Sequence, residues 1–135
     1  MRSILTLLLL LLIALSAQAE VKQLDNAQLE TLLAEGVPVV DIRRAEEWKQ
    51  TGVVQGSHLI TFFDAAGNYD ARAWLTQLAP IAGKDDPVIL ICRTGNRTGI
   101  ISQFLDQQVG FSRVYNVTKG ITDWIARGYP VIAPE

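Results

Sequence analysis

The chain is poor in the residues that most often build metal and disulfide sites. It has one cysteine, Cys92, and one histidine, His58, in 135 residues. One cysteine cannot close an internal disulfide, so no covalent staple is expected. No His, Cys, Asp or Glu cluster has metal-ligand spacing, so neither a metal nor another cofactor is expected. Positive charge is also scarce. The 12 Lys and Arg are outnumbered by 14 Asp and Glu, for a net charge of −2, and no basic stripe suggests nucleic acid. A membrane-spanning run is missing too. Leu5 to Leu15 is leucine apart from Thr6, Ile13 and Ala14, but it is shorter than the roughly 20 residues a spanning helix needs. There is no internal repeat, low-complexity tract or linker after it.

That leucine run follows the positive start Met1-Arg2 and precedes Ala17-Gln18-Ala19. A basic start, a short apolar stretch and a small–x–small site make a secretory signal pattern. Residues 1–19 are therefore expected to be a signal peptide cleaved after Ala19, with an uncleaved membrane anchor as the alternative, and residues 20–135 a single domain. The expected location is periplasmic or secreted, with no stable membrane insertion after cleavage. Exported proteins usually pair their cysteines or lack them, so the unpaired Cys92 points to a reactive group.

The rest of the chain alternates strands and helices. Val21 to Leu24 reads as a strand. Asp25 then reads as a helix N-cap, with Gln28 at the capping-box position and Leu24 and Leu29 as the staple. Val39 to Ile42 reads as a buried strand, Arg44 to Gln50 as a short helix, and His58 to Ile60 as another strand. Asp70 opens a helix with Ala71, Trp74, Leu75 and Leu78 on one face. Val88 to Ile91 lacks polar alternation, which fits a strand buried on both sides. Ile100, Ile101, Phe104, Leu105 and Val109 line the next helix, which ends at Gly110. Val114 to Val117 is the next strand. Ile121, Trp124 and Ile125 line the last helix, and Pro130 to Ala133 reads as an edge strand. The three tryptophans, including Trp48, are assigned to the core. Such alternation predicts an α/β fold with a central, mostly parallel sheet and helices on both faces.

In that fold Cys92 stands at the carboxyl end of a central strand, where open α/β sheets bind ligands. The segment Cys92-Arg93-Thr94-Gly95-Asn96-Arg97-Thr98 then turns into a helix. Backbone N–H groups and the positive helix end converge there, which favours a thiolate and an anion beside it. Cys92 is the expected nucleophile, and Arg93 to Thr98 the expected anion cradle. Arg93 is placed at the rim, to attract an anionic donor. Arg97 is expected either to point inward or to brace the loop. Gly95 supplies a positive φ, and Asn96 tolerates the same conformation. Thr98 is assigned as helix cap with a hydroxyl contact to the sulfur. Asp41, at the end of its strand, is the remote candidate, either accepting hydrogen bonds from the loop or pairing with an arginine. His58 is read as structural, because no partner for it is located.

Several ordered motifs together resemble the single-domain rhodaneses, a sulfurtransferase family. Val39-Val40-Asp41-Ile42-Arg43 with Glu46-Glu47-Trp48 resembles the family's first signature, and Gly52 to Ile60 resembles its Gly-His-Ile-Pro-Gly-Ala segment. Cys92 to Gly99 resembles the active loop. Gly110-Phe111, Val114 to Val117, Gly120 to Trp124 and Gly128 to Val131 resemble the C-terminal pattern. Departures occur where the His-Ile-Pro positions read Val53-Val54-Gln55, where Ser57 replaces alanine, and where Lys119 replaces the first of two glycines. The resemblance implies a rhodanese-like three-layer fold and a persulfide on Cys92. It also implies a small anionic sulfur donor, such as thiosulfate, and a thiol or cyanide acceptor.

Three other readings compete with sulfur transfer: a partner-binding module without activity, a thiol-redox module, and a cysteine-dependent phosphatase. Related phosphatases have a loop one residue longer. Here four residues separate Cys92 from Arg97, and the smaller cradle suits one sulfur better than a phosphoryl group.

Overall fold

A computed structural model describes residues 20–135. The expected signal peptide and its cleavage site lie outside the described residues. The elements run β1 (Lys22–Leu24), α1 (Asn26–Ala34), β2 (Val39–Asp41), α2 (Ala45–Thr51), β3 (His58–Leu59), α3 (Ala71–Leu78), β4 (Pro87–Ile91), α4 (Asn96–Phe104), a π-helical turn (Leu105–Val109), β5 (Arg113–Val117) and α5 (Gly120–Ala126). Among the described residues the five strands pair in parallel, in the order β1-β5-β4-β2-β3. No described helix is long and apolar enough to cross a membrane.

Local sequence accounts for the helix starts. The Asp25 carboxylate accepts from the Gln28 N–H at 2.7 Å, and the Gln28 side chain accepts from the Asp25 N–H at 2.9 Å. This reciprocal capping box satisfies two otherwise orphaned groups. Asp70 caps α3 in the simpler way, accepting from the Ala73 N–H at 3.0 Å.

Alternation along the strands makes two cores, one on each face. Val40, Val88, Leu90, Cys92 and Val114 pack with Trp74 and Leu78 of α3 and Ile101 of α4. Val39, Ile89, Ile91 and Val117 pack on the other face with Leu29 of α1 and with Ile121 and Trp124 of α5. β4 lies between β2 and β5, with its last four residues buried, so the chain leaves the middle of the sheet straight into the Cys92 loop.

Four expectations need correction. Ile100 is 65% exposed, because it stands on the side of α4 that borders an open depression beside Arg93 and Phe63. Ile125 is also exposed, on the outer side of α5. Trp48 is only half-buried, and its indole N–H has no hydrogen-bond partner among the described residues. The tail forms no strand. Ile132 makes a single antiparallel bridge to Val53, with N–H···O bonds of 2.8 Å in both directions. Pro130, which has no N–H, and Pro134 flank this bridge and limit its extension.

Candidate active site

The Cys92 side chain is 1% exposed. The Gly95 N–H donates to its Sγ at 3.2 Å, and the Thr98 Oγ1 stands 3.3 Å from the same sulfur. The first N–H groups of α4, those of Asn96, Arg97 and Thr98, have no acceptor inside the helix. They open toward the same end of the sheet, so the local field favours negative charge there.

Gly95 has the positive φ expected of it, +92°, and it packs so closely on the Thr118 carbonyl that a Cβ would collide. Gly120 is similar. At φ +65° it sits against the backbone of Arg93, again with no room for a Cβ. This contact lets the start of α5 brace the loop from behind. The Ile121 N–H donates to the Cys92 carbonyl at 2.9 Å, and the Thr122 N–H to the Arg93 carbonyl at 3.1 Å. Lys119, by contrast, sits at φ −103°, a conformation open to any residue. Its replacement of glycine is thereby accounted for.

The two loop arginines have separate roles. Arg93 is exposed and lines an open depression of about 670 Å³ with Arg44, Glu47, Phe63, Arg97 and Ile100. Arg97 turns to α2. Its Nη1 and Nη2 donate to the two Glu47 carboxylate oxygens at 2.9 and 2.7 Å. This fork, with the Arg44 backbone N–H also donating to Glu47, holds that carboxyl down at about 2 against the opposing effect of burial. The Arg97 guanidinium is pushed up in turn, chiefly by Glu47 and further by the nearby Cys92 and Asp41. Thr94 and Asn96 are exposed on the loop.

Thr98 is not the cap of α4. Gly95 holds that position, and the Thr98 hydroxyl lies inside the first turn, fully buried. There it donates to Asn116 Oδ1 at 2.6 Å. Asp41 does not reach the loop. It pairs with Arg43, whose Nε and Nη2 donate to its two oxygens at 3.0 and 2.8 Å, with both side chains fully buried. Arg43 also donates to Thr51 Oγ1 and the Gly52 carbonyl, so the pair ties the end of β2 to the end of α2. His58 is exposed on the edge strand β3.

Sequence reading missed three contributors. Glu47 was legible only as part of a signature, since its partner lies 50 residues away. Arg43, too, was legible only as part of that signature. Asn116 had no local signal beyond being a lone polar residue in an apolar strand.

The central strand of a parallel sheet thus carries a buried thiol into a tightly held loop at a helix N-terminus. Comparison with known proteins gives the family. The rhodanese-like domain model matches residues 25–127, and the chain belongs to that family. It is 34% identical to a sulfurtransferase of Allochromatium vinosum, covering 85% of this chain and 98% of that protein. It is 28% identical to thiosulfate sulfurtransferase GlpE of Pseudomonas savastanoi pv. phaseolicola, covering 82% and 92%. A rhodanese-related protein of Thermoplasma volcanium superposes with a TM-score of 0.63 at 27% identity, covering 84% of this chain and 99% of the other.

Proposed function

We propose that the protein moves a sulfane sulfur from thiosulfate, or a similar small anionic donor, to a thiol or cyanide through a persulfide on Cys92. The Cys92 thiolate attacks the outer sulfur of thiosulfate. A Cys–S–S⁻ bond forms, the S–S bond of the donor breaks, and sulfite leaves with the electron pair. Attack by cyanide or a thiolate on the outer sulfur then returns Cys92 to the thiolate. Both resting states carry one negative charge, so a fixed cradle serves both with little reorganisation. The observation that carries this reading is the Gly95 N–H aimed at Sγ from 3.2 Å within a loop pinned from two sides.

The phosphatase alternative fits less well. A phosphoryl group needs the loop arginine and a nearby acid. Arg97 already forks onto Glu47, and Asp41 onto Arg43. Intact-protein mass spectrometry after incubation with thiosulfate should show the gain of one sulfur atom, removable by reductant or cyanide. Cys92→Ser should show none while keeping the fold, since the change is nearly isosteric. Cys92-dependent hydrolysis of aryl phosphates with no persulfide would reverse the choice.

The same proposal places the reaction in the periplasm or outside the cell, on the strength of the leucine run and Ala17-Gln18-Ala19. The N-terminus of the exported protein should be Glu20. A protein found only in the cytosol with Met1 retained would contradict the location and leave the chemistry standing.

A further inference from the structure

A chain of hydrogen bonds leads away from the Cys92 sulfur across the sheet. Sγ lies 3.3 Å from Thr98 Oγ1. The Thr98 hydroxyl donates to Asn116 Oδ1 at 2.6 Å, and Asn116 Nδ2 donates to Gln23 Oε1 at 3.0 Å. Thr118 Oγ1 donates to the same Gln23 oxygen at 3.0 Å. The topology makes this path. Asn116 of β5 is in register with Leu90 of β4 on one side and with Gln23 of the edge strand β1 on the other. Thr98 and Asn116 are 0% and 4% exposed, while Gln23 and Thr118 reach solvent.

The direction of these bonds matters. The Thr98 hydroxyl proton is directed at Asn116 Oδ1, its nearest acceptor, with the Gly95 carbonyl 3.4 Å from Oγ1 as a second; while the amide keeps this orientation, the contact to sulfur is an S–H donating to Oγ1. That polarity suits a protonated thiol. A thiolate in the same place would face the lone pairs of Oγ1. Each link in the chain can nevertheless work in reverse, because hydroxyls and primary amides both donate and accept, and a turned amide has nearly the same shape. Gly99 of α4 faces the Asn116 amide without a side chain; a Cβ there would stand 3.8 Å from Nδ2.

We propose that the Thr98–Asn116–Gln23 chain reverses its polarity when Cys92 ionises, so that Asn116 and Gln23 are positioning residues for the nucleophile. This rests on the reading of Cys92 as the attacking group. The thiol proton leaves to solvent. The Thr98 hydroxyl turns from Asn116 to Sγ, Asn116 turns to place Nδ2 on Thr98 Oγ1, and Gln23 turns to place Nε2 on Asn116 Oδ1. No proton passes along the chain. The thiolate gains one O–H donor beside the Gly95 N–H, and no buried group is left unpaired.

A substitution at the far, exposed end tests this. Gln23→Glu offers only acceptors, so it holds Asn116 in the orientation that keeps the hydroxyl away from sulfur. Alkylation of Cys92 by iodoacetamide at neutral pH should slow about tenfold, the equivalent of ~1.4 kcal/mol. The new carboxylate also carries a field, and a double-mutant cycle with Thr98→Val separates the two effects. If the hydroxyl conducts the effect, Gln23→Glu should change nothing further in the Thr98→Val background. A tenfold loss that persists there, or no loss in the first place, overturns the proposal.

A second measurement uses the unmutated protein. The side-chain amide resonances of both Asn116 and Gln23 should shift in ¹H–¹⁵N spectra as Cys92 is deprotonated, and should stay fixed in Cys92→Ser. That control removes the contribution of the other charged groups around the sulfur: Arg93 and Arg97, Glu47 of α2, the Asp41–Arg43 pair of β2, and Lys119 before α5. Amides that do not move with the thiol overturn the proposal. Neither measurement needs a sulfur donor, so a protein that never forms a persulfide would sink the sulfurtransferase reading separately.

Discussion

Asp41 and Arg43 are two residues apart, both fully buried, and joined by a two-pronged ion pair at the end of β2. Every charged nitrogen of Arg43 has an acceptor, including Thr51 and Gly52 at the far end of α2. A buried pair of this kind contributes little beyond what a well-packed apolar pair would, but losing one member leaves an unpaired buried charge. Asp41→Asn or Arg43→Met should each lower unfolding stability by about 3–5 kcal/mol, and the double variant should recover part of the loss. Urea denaturation of the three variants checks this. A double variant as unstable as the sum of the singles would show that the pair has no such coupling. Cys92 is a different case, since among the described residues its sulfur makes polar contacts only with Gly95 and Thr98, and its replacement by serine is a test of chemistry rather than of folding.

Among the elements, α2 and the start of α5 are what hold the active loop. The clamp from α2 is Glu47, and its charge gives a pH test. Its carboxyl is held at about 2 by Arg97, against an ordinary value of 4.5. A depressed carboxylate contributes stability that is fully present above its unfolded value and is lost as pH falls toward the folded one. The contribution should therefore disappear between about 4.5 and about 2. Glu47→Gln should cost about 1–2 kcal/mol at neutral pH, less than the full shift implies because solvent screens the half-exposed Arg97, and its acid unfolding curve should be flatter across that window. Clamping from α5 depends on Gly120, where any Cβ meets the Arg93 backbone. Gly120→Ala should displace the loop and reduce persulfide formation at least tenfold, as thiosulfate loading would report. These contacts also mark the limit of sequence reading. The Asp25–Gln28 capping box, the buried β4 strand and the Cys92-to-Thr98 turn were legible because their causes are local, within a few residues. Glu47 to Arg97, Asn116 to Thr98 and Gly120 to Arg93 were not, because each pair is brought together only by sheet order. Ile100 was misassigned for a related reason: helical spacing gives a stripe, but not which edge of the stripe faces the site.

For the molecule as a whole, net charge and local charge have opposite signs. The chain carries −2 overall, yet the depression beside the loop is lined by Arg44, Arg93 and Arg97 against Glu47 and Asp64. Arg97 and Glu47 neutralise one another through their fork. That leaves Arg93 and Arg44, offset in part by Asp64, as the attraction felt by an approaching dianion. A field this local is set by the nearest charges and not by the total, and salt screens it. Under the proposed transfer of sulfur from thiosulfate, the effect falls on capture of the donor. The KM for thiosulfate should rise several-fold between roughly 0.01 M and roughly 1 M ionic strength, as the Debye length shrinks from ~30 Å to ~3 Å. The kcat should stay within about twofold, because attack on the bound donor depends on the fixed N–H groups of the loop. Arg93→Gln should raise KM at low salt and flatten the salt dependence, while leaving the folded structure and the reactivity of Cys92 toward neutral iodoacetamide close to those of the parent. A KM insensitive to salt, or a fall in kcat of the same size as the rise in KM, would place the role of Arg93 in the chemical step instead of in donor capture.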